Sequence, residues 1–138
     1  MSLVGKNIFI VEDDPMNRIV YQITLAIKGA NLEFDSHGQQ VLKKLQAKNH
    51  WDLIILDLML GRHGSGYDIY SQVKANPNFA NTPIIAISAS EPAVAIPKVR
   101  ELGFNGFISK PIDEEIFADQ IESIINGESV WHDGTVSI

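Results

Sequence analysis

The chain contains no cysteine, which removes disulfides, thiolate metal sites and a cysteine nucleophile from consideration. It also lacks any apolar run near the roughly 18 residues of a membrane-spanning helix, and no signal peptide is visible. Basic residues are in the minority: 11 Lys and Arg stand against 17 Asp and Glu, a net charge of -6. A surface of that sign does not favour non-specific binding to nucleic acid or anionic membranes. Nor is there an internal repeat or a low-complexity segment. What is left is the profile of a cytoplasmic protein. Its 138 residues suit one domain with one core, and 45% hydrophobic with 20% charged residues is ordinary for such a domain.

Within it, the stretch Leu53-Ile54-Ile55-Leu56-Asp57 stands out. Its consecutive apolar residues read as a strand buried on both faces, as in a parallel sheet, and the carboxylate that follows needs a partner, because an unpaired buried charge is costly. Further apolar strands are expected at Asn7–Val11, 83–88 and Gly106–Ser109, with a weaker, alternating one at Asn31–Asp35 suited to a sheet edge. The first helix is expected to run from Pro15, capped by Asp14, through Met16, Ile19, Val20, Ile23, Ala26 and Ile27 to Lys28-Gly29. The second takes Val41, Leu42 and Leu45 to about Asn49, and the third takes Ile69 and Val73 to Asn76-Pro77. The fourth covers 91–102, where Pro97 removes a backbone hydrogen bond and predicts a short, distorted or late-starting helix. The fifth runs from Ile112 through Ile116, Phe117, Ile121, Ile124 and Ile125, with Asp113, Glu114 and Glu115 set against its N-terminal dipole. Strands alternating with helices in this way predict a doubly wound α/β fold, a five-stranded parallel sheet with five helices on its two faces. The domain is expected over residues 1–126, followed by a tail over 127–138 whose Val130 and Trp131 can pack on the body or on a partner.

In a doubly wound sheet the ligand site lies outside the carboxyl ends of the strands. That edge would collect Glu12 and Asp13 from the first strand, Asp57 from the third, Ser88 from the fourth and Lys110 from the fifth. Singly, each has an ordinary explanation: acids before a helix are caps, a serine after a strand is a turn residue, and a lone lysine is solvated. Their coincidence at one edge outweighs those explanations. Two like charges about 4 Å apart repel by roughly 1 kcal/mol in water and about 4 kcal/mol at an effective dielectric of 20. Three clustered carboxylates therefore need a cation, and an all-oxygen site suits Mg²⁺. A carboxylate beside such an ion, a lysine and a hydroxyl can attack a phosphoryl group. The chemistry expected is acyl-phosphate formation on Asp57.

At Val11-Glu12-Asp13-Asp14-Pro15, Ile54-Ile55-Leu56-Asp57, Ile87-Ser88-Ala89 and Ser109-Lys110-Pro111 the chain resembles the receiver domain of two-component response regulators, over about residues 7–125. The resemblance implies a flavodoxin-like topology with strand order 2-1-3-4-5. It implies that Asp57 accepts a phosphoryl group from a phosphohistidine on a sensor histidine kinase or phosphotransfer protein. Asp13 would ligate Mg²⁺ directly, Glu12 directly or through water, Asp57 as well, and the backbone carbonyl of Met59 would add a ligand. Ser88 would turn toward the phosphoryl group and Lys110 would pair with it. Phe107 takes the aromatic switch position, whose side chain turns inward on activation, and the Lys110-Pro111 bond is implied to be cis. A downstream protein would meet the face formed by the fourth helix, fifth strand and fifth helix. Such a domain is a regulator that promotes its own phosphorylation and dephosphorylation rather than a turnover enzyme.

The chain departs from the family pattern in the loop Met59-Leu60-Gly61-Arg62-His63-Gly64-Ser65-Gly66, which is one residue longer than usual, has its matching glycine at Gly66, and carries extra glycines that predict mobility. Met59 and Ser90 stand where amide or acidic side chains are common, which predicts slow self-dephosphorylation, and Pro97 lies within the output face. Other classes fit less well. An FMN-binding flavodoxin-like module needs a hydroxyl-rich phosphate loop where Glu12, Asp13 and Asp14 stand, and an aspartate-based phosphatase needs a second Asp where Met59 stands. No helix-turn-helix lies within these residues, so output within them is expected by protein contact.

Overall fold

The computed structural model describes residues 3–61 and 64–135. Among these residues six strands form one parallel sheet: β1 Asn7–Val11, β2 Asn31–Asp35, β3 Leu53–Leu56, β4 Ile84–Ser88, β5 Gly106–Ser109 and β6 Val130–His132. Their order is β2-β1-β3-β4-β5-β6. Five helices connect them: α1 Pro15–Thr24, α2 Val41–Gln46, α3 Gly66–Lys74, α4 Pro92–Leu102 and α5 Phe117–Ile125. The doubly wound arrangement is the one the sequence predicts, and 2-1-3-4-5 is the order the family resemblance implies.

Strand alternation divides the core in two. Phe9, Val11, Ile54, Leu56, Ala86 and Phe107 face one side, where they pack with Val41 and Leu45 of α2, Ile69 and Val73 of α3, and Ala95 and Val99 of α4. Ile8, Ile10, Leu53, Ile55, Ile85, Ile87 and Ile108 face the other, with Tyr21 of α1 and Phe117, Ile121 and Ile124 of α5. This is why the central strands are apolar at every position rather than at every second one. Each fully buried side chain of this size contributes about 1.5–3 kcal/mol relative to exposure. No helix among the described residues is long and apolar enough to cross a membrane.

Several elements differ from expectation. The repeat Met16, Ile19, Ile23 and Ile27 marks the solvent face of the first helical segment, not its core face; these residues are 69%, 48%, 50% and 77% exposed. The core is met instead by Tyr21, Thr24 and Leu25, and α1 gives way to a 3-10 turn over Ala26–Lys28 before Gly29 ends the segment in the left-handed region, at φ 97°. α4 is continuous across Pro97. Proline there forfeits the hydrogen bond to Ala93, but both residues are exposed, so the orphaned carbonyl is open to water. α5 begins at Phe117, and the acids before it lie in a turn where Asp113 accepts from the Glu115 N–H at 3.1 Å.

The sheet has a sixth strand beyond the five expected, formed by the tail whose Val130 and Trp131 were expected to pack on the body or on a partner. β6 pairs parallel with β5, setting Gly106 opposite Val130, Phe107 opposite Trp131 and Ile108 opposite His132. A three-residue strand is too short to declare itself by alternation. Residues 136–138 of the tail, and Arg62 and His63 of the glycine-rich loop, lie outside the described residues.

Candidate phosphoacceptor site

Parallel pairing brings the strands' carboxyl ends to one edge. The Asp57 N–H donates to Val11 O at 3.1 Å and the Lys110 N–H to Ser88 O at 2.9 Å, so backbone bonds between neighbouring strands fix where both side chains start. Asp57 follows β3 and is 5% exposed; Glu12 follows β1 and is fully buried. Asp13 beside it is half-buried, and Asp14 points away to cap α1, accepting from the Met16 N–H at 2.9 Å.

Lys110 joins the two buried acids. Its Nζ lies 2.8 Å from Asp57 Oδ2 and 2.9 Å from Glu12 Oε1. The remaining Asp57 oxygen, Oδ1, accepts from the Met59 N–H at 3.0 Å. Glu12 is held further by the Asp14 N–H on Oε2 at 3.3 Å and by the buried Tyr21 hydroxyl, 3.4 Å from Oε1. Burial raises the Glu12 carboxyl above its ordinary value, against the lowering effect of Lys110. Burial acts to lower the Lys110 ammonium, but its bonds to Asp57 and Glu12 prevail and hold it above 10.5. Burial, and then the charges of Glu12 and Asp57, push the Tyr21 phenol well above 10, so it remains a neutral donor.

Ligand oxygens of Glu12, Asp13 and Asp57 all lie within 4.8 Å of one another. One lysine against three carboxylates leaves the cluster acidic. An all-oxygen donor set of this kind fits a hard divalent ion such as Mg²⁺.

Ser88 is buried at the end of β4, where its Oγ lies 2.9 Å from Ser90 Oγ and accepts from the Ser90 N–H at 3.2 Å. Phe107 stands apart from the acids, fully buried in the core on the α4 side and opposite Trp131. The Lys110-Pro111 peptide bond is cis. After Asp57 the described residues of the loop pair with one another: Met59 bridges Ser65, the Leu60 N–H donates to Gly64 O at 3.3 Å, and the Gly66 N–H donates to Leu58 O at 3.1 Å. Met59 keeps its side chain 59% exposed beside the acids.

Two contributors escaped sequence reasoning. Tyr21 lies hidden in a helical apolar repeat, where its hydroxyl gave no signal. Gly66 was matched by position only; a Cβ there would run into the Asp57 carbonyl oxygen.

The family model described as the response regulator receiver domain matches residues 8–122. The chain belongs to that family. The receiver domain is 28% identical over 120 residues to the polar-differentiation response regulator DivK of Brucella ovis, covering 87% of this chain and 96% of DivK. It is 25% identical over 143 residues to probable histidine kinase 4 of Oryza sativa subsp. japonica; the match takes in 89% of this chain and only 14% of that protein's length. Among solved structures it resembles the receiver domain of sensor histidine kinase PA1611 from Pseudomonas aeruginosa PAO1, which holds a magnesium ion coordinated in its active site cleft. That match has 25% identity and a TM-score of 0.76, covering 90% of this chain and all (100%) of the other.

Proposed function

We propose that Asp57 is the phosphoacceptor of a two-component signalling pathway and that its phosphorylation alters how this domain binds other proteins. The observation that carries the reading is the Lys110 ammonium, 2.8 Å from Asp57 and 2.9 Å from Glu12, beside a cluster of carboxylates that one lysine does not neutralise. A phosphohistidine on a sensor kinase or phosphotransfer protein is the donor. An Asp57 carboxylate oxygen attacks phosphorus, the new O–P bond forms as the P–N bond breaks, and the imidazole leaves with the bonding pair and takes up a proton. Asp13, Glu12, Asp57 and the Met59 carbonyl would hold Mg²⁺, as the Pseudomonas relative's cleft holds magnesium. When bound, that ion offsets negative charge on the transferring phosphoryl oxygens.

The chain's own groups do the rest. Met59 N–H and Lys110 orient the Asp57 carboxylate before the donor arrives, and Lys110 then pairs with the phosphoryl group. The Ser88 hydroxyl, now engaged with Ser90, would turn to a phosphoryl oxygen, which moves the link between β4 and α4. The exposed apolar residues Met16, Ile19, Ile23 and Ile27 begin just beyond Asp13 and Asp14 and give a protein donor an apolar surface beside the acceptor. The output side is the face of α4, β5 and α5. The domain acts as a regulator, consumed and restored by phosphorylation and hydrolysis.

The test is intact-mass measurement after incubation with a small phosphodonor and Mg²⁺. Wild type gains one phosphoryl group, chelator prevents the gain, and Asp57→Asn gains none. An unmodified wild type, or an equal gain on the variant, would overturn the reading.

A further inference from the structure

The strand that carries the signal away from Lys110 is not the edge of the sheet. β6 lies along β5, and three features define the seat it occupies. At one end Gly106 stands opposite Val130; a Cβ on Gly106 would come to 2.7 Å from the Val130 carbonyl oxygen, so the missing side chain is what lets a neighbouring backbone close in. In the middle Trp131 lies opposite Phe107 and packs on the same core, with the Arg100 guanidinium of α4 centred 4.8 Å from its ring. Beyond the strand, Asp133 lines a cavity of about 410 Å³ with Pro92, Ala93, Ile96 and Pro97 of α4. The seat thus combines a backbone ladder, an aromatic slot and an open continuation.

Its occupant is lightly held. All three β6 residues are only half-buried, whereas β3, β4 and β5 are buried throughout. A connection of residues 126–129, with Gly127 at φ 99°, joins it to α5. Short, half-exposed elements open locally at far lower free energy than core strands.

We propose that the β5 edge is a docking groove for an extended segment of a partner protein, and that Val130–His132 is its replaceable resident. The partner strand displaces β6, pairs parallel with β5 and sets an aromatic side chain in the slot between Phe107 and Arg100. The resident states the partner's chemistry: a branched apolar residue opposite Gly106, an aromatic one opposite Phe107 and a polar one opposite Ile108. Main-chain bonds supply affinity and the aromatic slot supplies selectivity. The proposal deepens the output side of the phosphoacceptor reading, but peptide binding at β5 does not require phosphorylation, so the two fail separately.

The test uses a fluorescein-labelled peptide of residues 128–135 and full-length protein in which Trp131→Ala loosens β6, with anisotropy as the readout. Saturable binding at least about tenfold tighter than that of the same peptide with its Trp replaced by Ala is expected. Val130→Pro, which removes a backbone donor from β6, gives a second loosened variant, and thermal melts establish that each is folded. In unaltered protein, an excess of peptide carrying Phe in place of Trp should shift Trp131 emission to the red as β6 leaves. Equal binding of the two labelled peptides, no binding to a folded variant, or unmoved Trp131 emission at saturating peptide overturns the proposal. A wild-type dimer that Trp131→Ala abolishes would assign the groove to a second copy and also overturn it.

Discussion

Replacing Gly66 with alanine isolates how the loop after β3 fixes the acceptor. Gly66 opens α3, and a Cβ on it would run into the carbonyl oxygen of Asp57 itself, 3.0 Å from its carbonyl carbon and 3.1 Å from Leu58 Cα. These are backbone atoms, pinned to β1 through the Asp57 N–H at 3.1 Å from Val11 O, so they cannot swing aside as a side chain would. Carbon pairs sit best at about 3.5–4.0 Å, which obliges α3 and the end of β3 to separate. Overpacking of this kind costs about 1–3 kcal/mol, a large share of the roughly 5–15 kcal/mol that holds a domain together. A misplacement near 1 Å at a reacting group costs on the order of 100-fold in rate. The same loop supplies the control. Gly64 has φ 104° and nothing within 4 Å of a Cβ, so Gly64→Ala strains its own backbone by about 1–2 kcal/mol without pressing on Asp57. Urea unfolding measures stability, and intact-mass time courses with a phosphodonor measure rate. Gly66→Ala is expected to lose stability and at least about tenfold in rate, with Gly64→Ala losing stability alone. Equal phosphorylation rates in the two variants would refute the reasoning.

Lys110→Met strands buried Glu12 beside Asp57, at a cost of up to about 3–5 kcal/mol at pH 7. The cost should shrink as pH falls, because Glu12, raised by burial, takes up a proton before an ordinary carboxylate does; urea titrations that show no such pH dependence would count against the pairing. Because Lys110 is held above 10.5, its contribution is complete below that value and is lost as pH rises through the folded one, a slope that Lys110→Met should lack. Mg²⁺ at 100 times its dissociation constant should stabilise the fold by about 2.7 kcal/mol, with chelator reversing the gain and Asp13→Asn reducing it; an unchanged melting temperature would speak against the carboxylate cluster as its site. Met59→Asn should shorten the lifetime of the phosphorylated form, since an amide can orient an attacking water where the exposed thioether cannot. Rapid loss of phosphate from wild type that the substitution leaves unchanged would contradict this.

Strand identity was legible because Ile54, Ile55, Ile85 and Ile87 are buried on two faces and leave unbroken apolar runs, whereas strand order came only with the family resemblance. The meeting of Asp57 and Lys110 was legible because parallel strands send their carboxyl ends to one edge. What periodicity does not reveal is which apolar stripe of a helix faces inward: the first helical segment turns Tyr21 and, at its cap, Leu25 to the core and leaves Met16, Ile19 and Ile23 in solvent. β6 was illegible because three residues carry no period, and its place depends on Gly106 and Arg100, far away in the chain. In the glycine-rich loop, the Met59 to Ser65 bridge and the Leu60 and Gly66 N–H bonds among the described residues are pairings that glycine content does not encode.

The central claim is that the phosphoryl group forms an acyl phosphate on Asp57 and nowhere else. Borohydride reduces an acyl phosphate to an alcohol and leaves phosphoserine and free carboxylates untouched. Protein treated with phosphodonor and Mg²⁺, then with borohydride, should yield on peptide mass mapping a homoserine at position 57 and at no other acid. Unmodified Asp57, or conversion at Asp13, Glu12 or another carboxylate instead, would contradict the account.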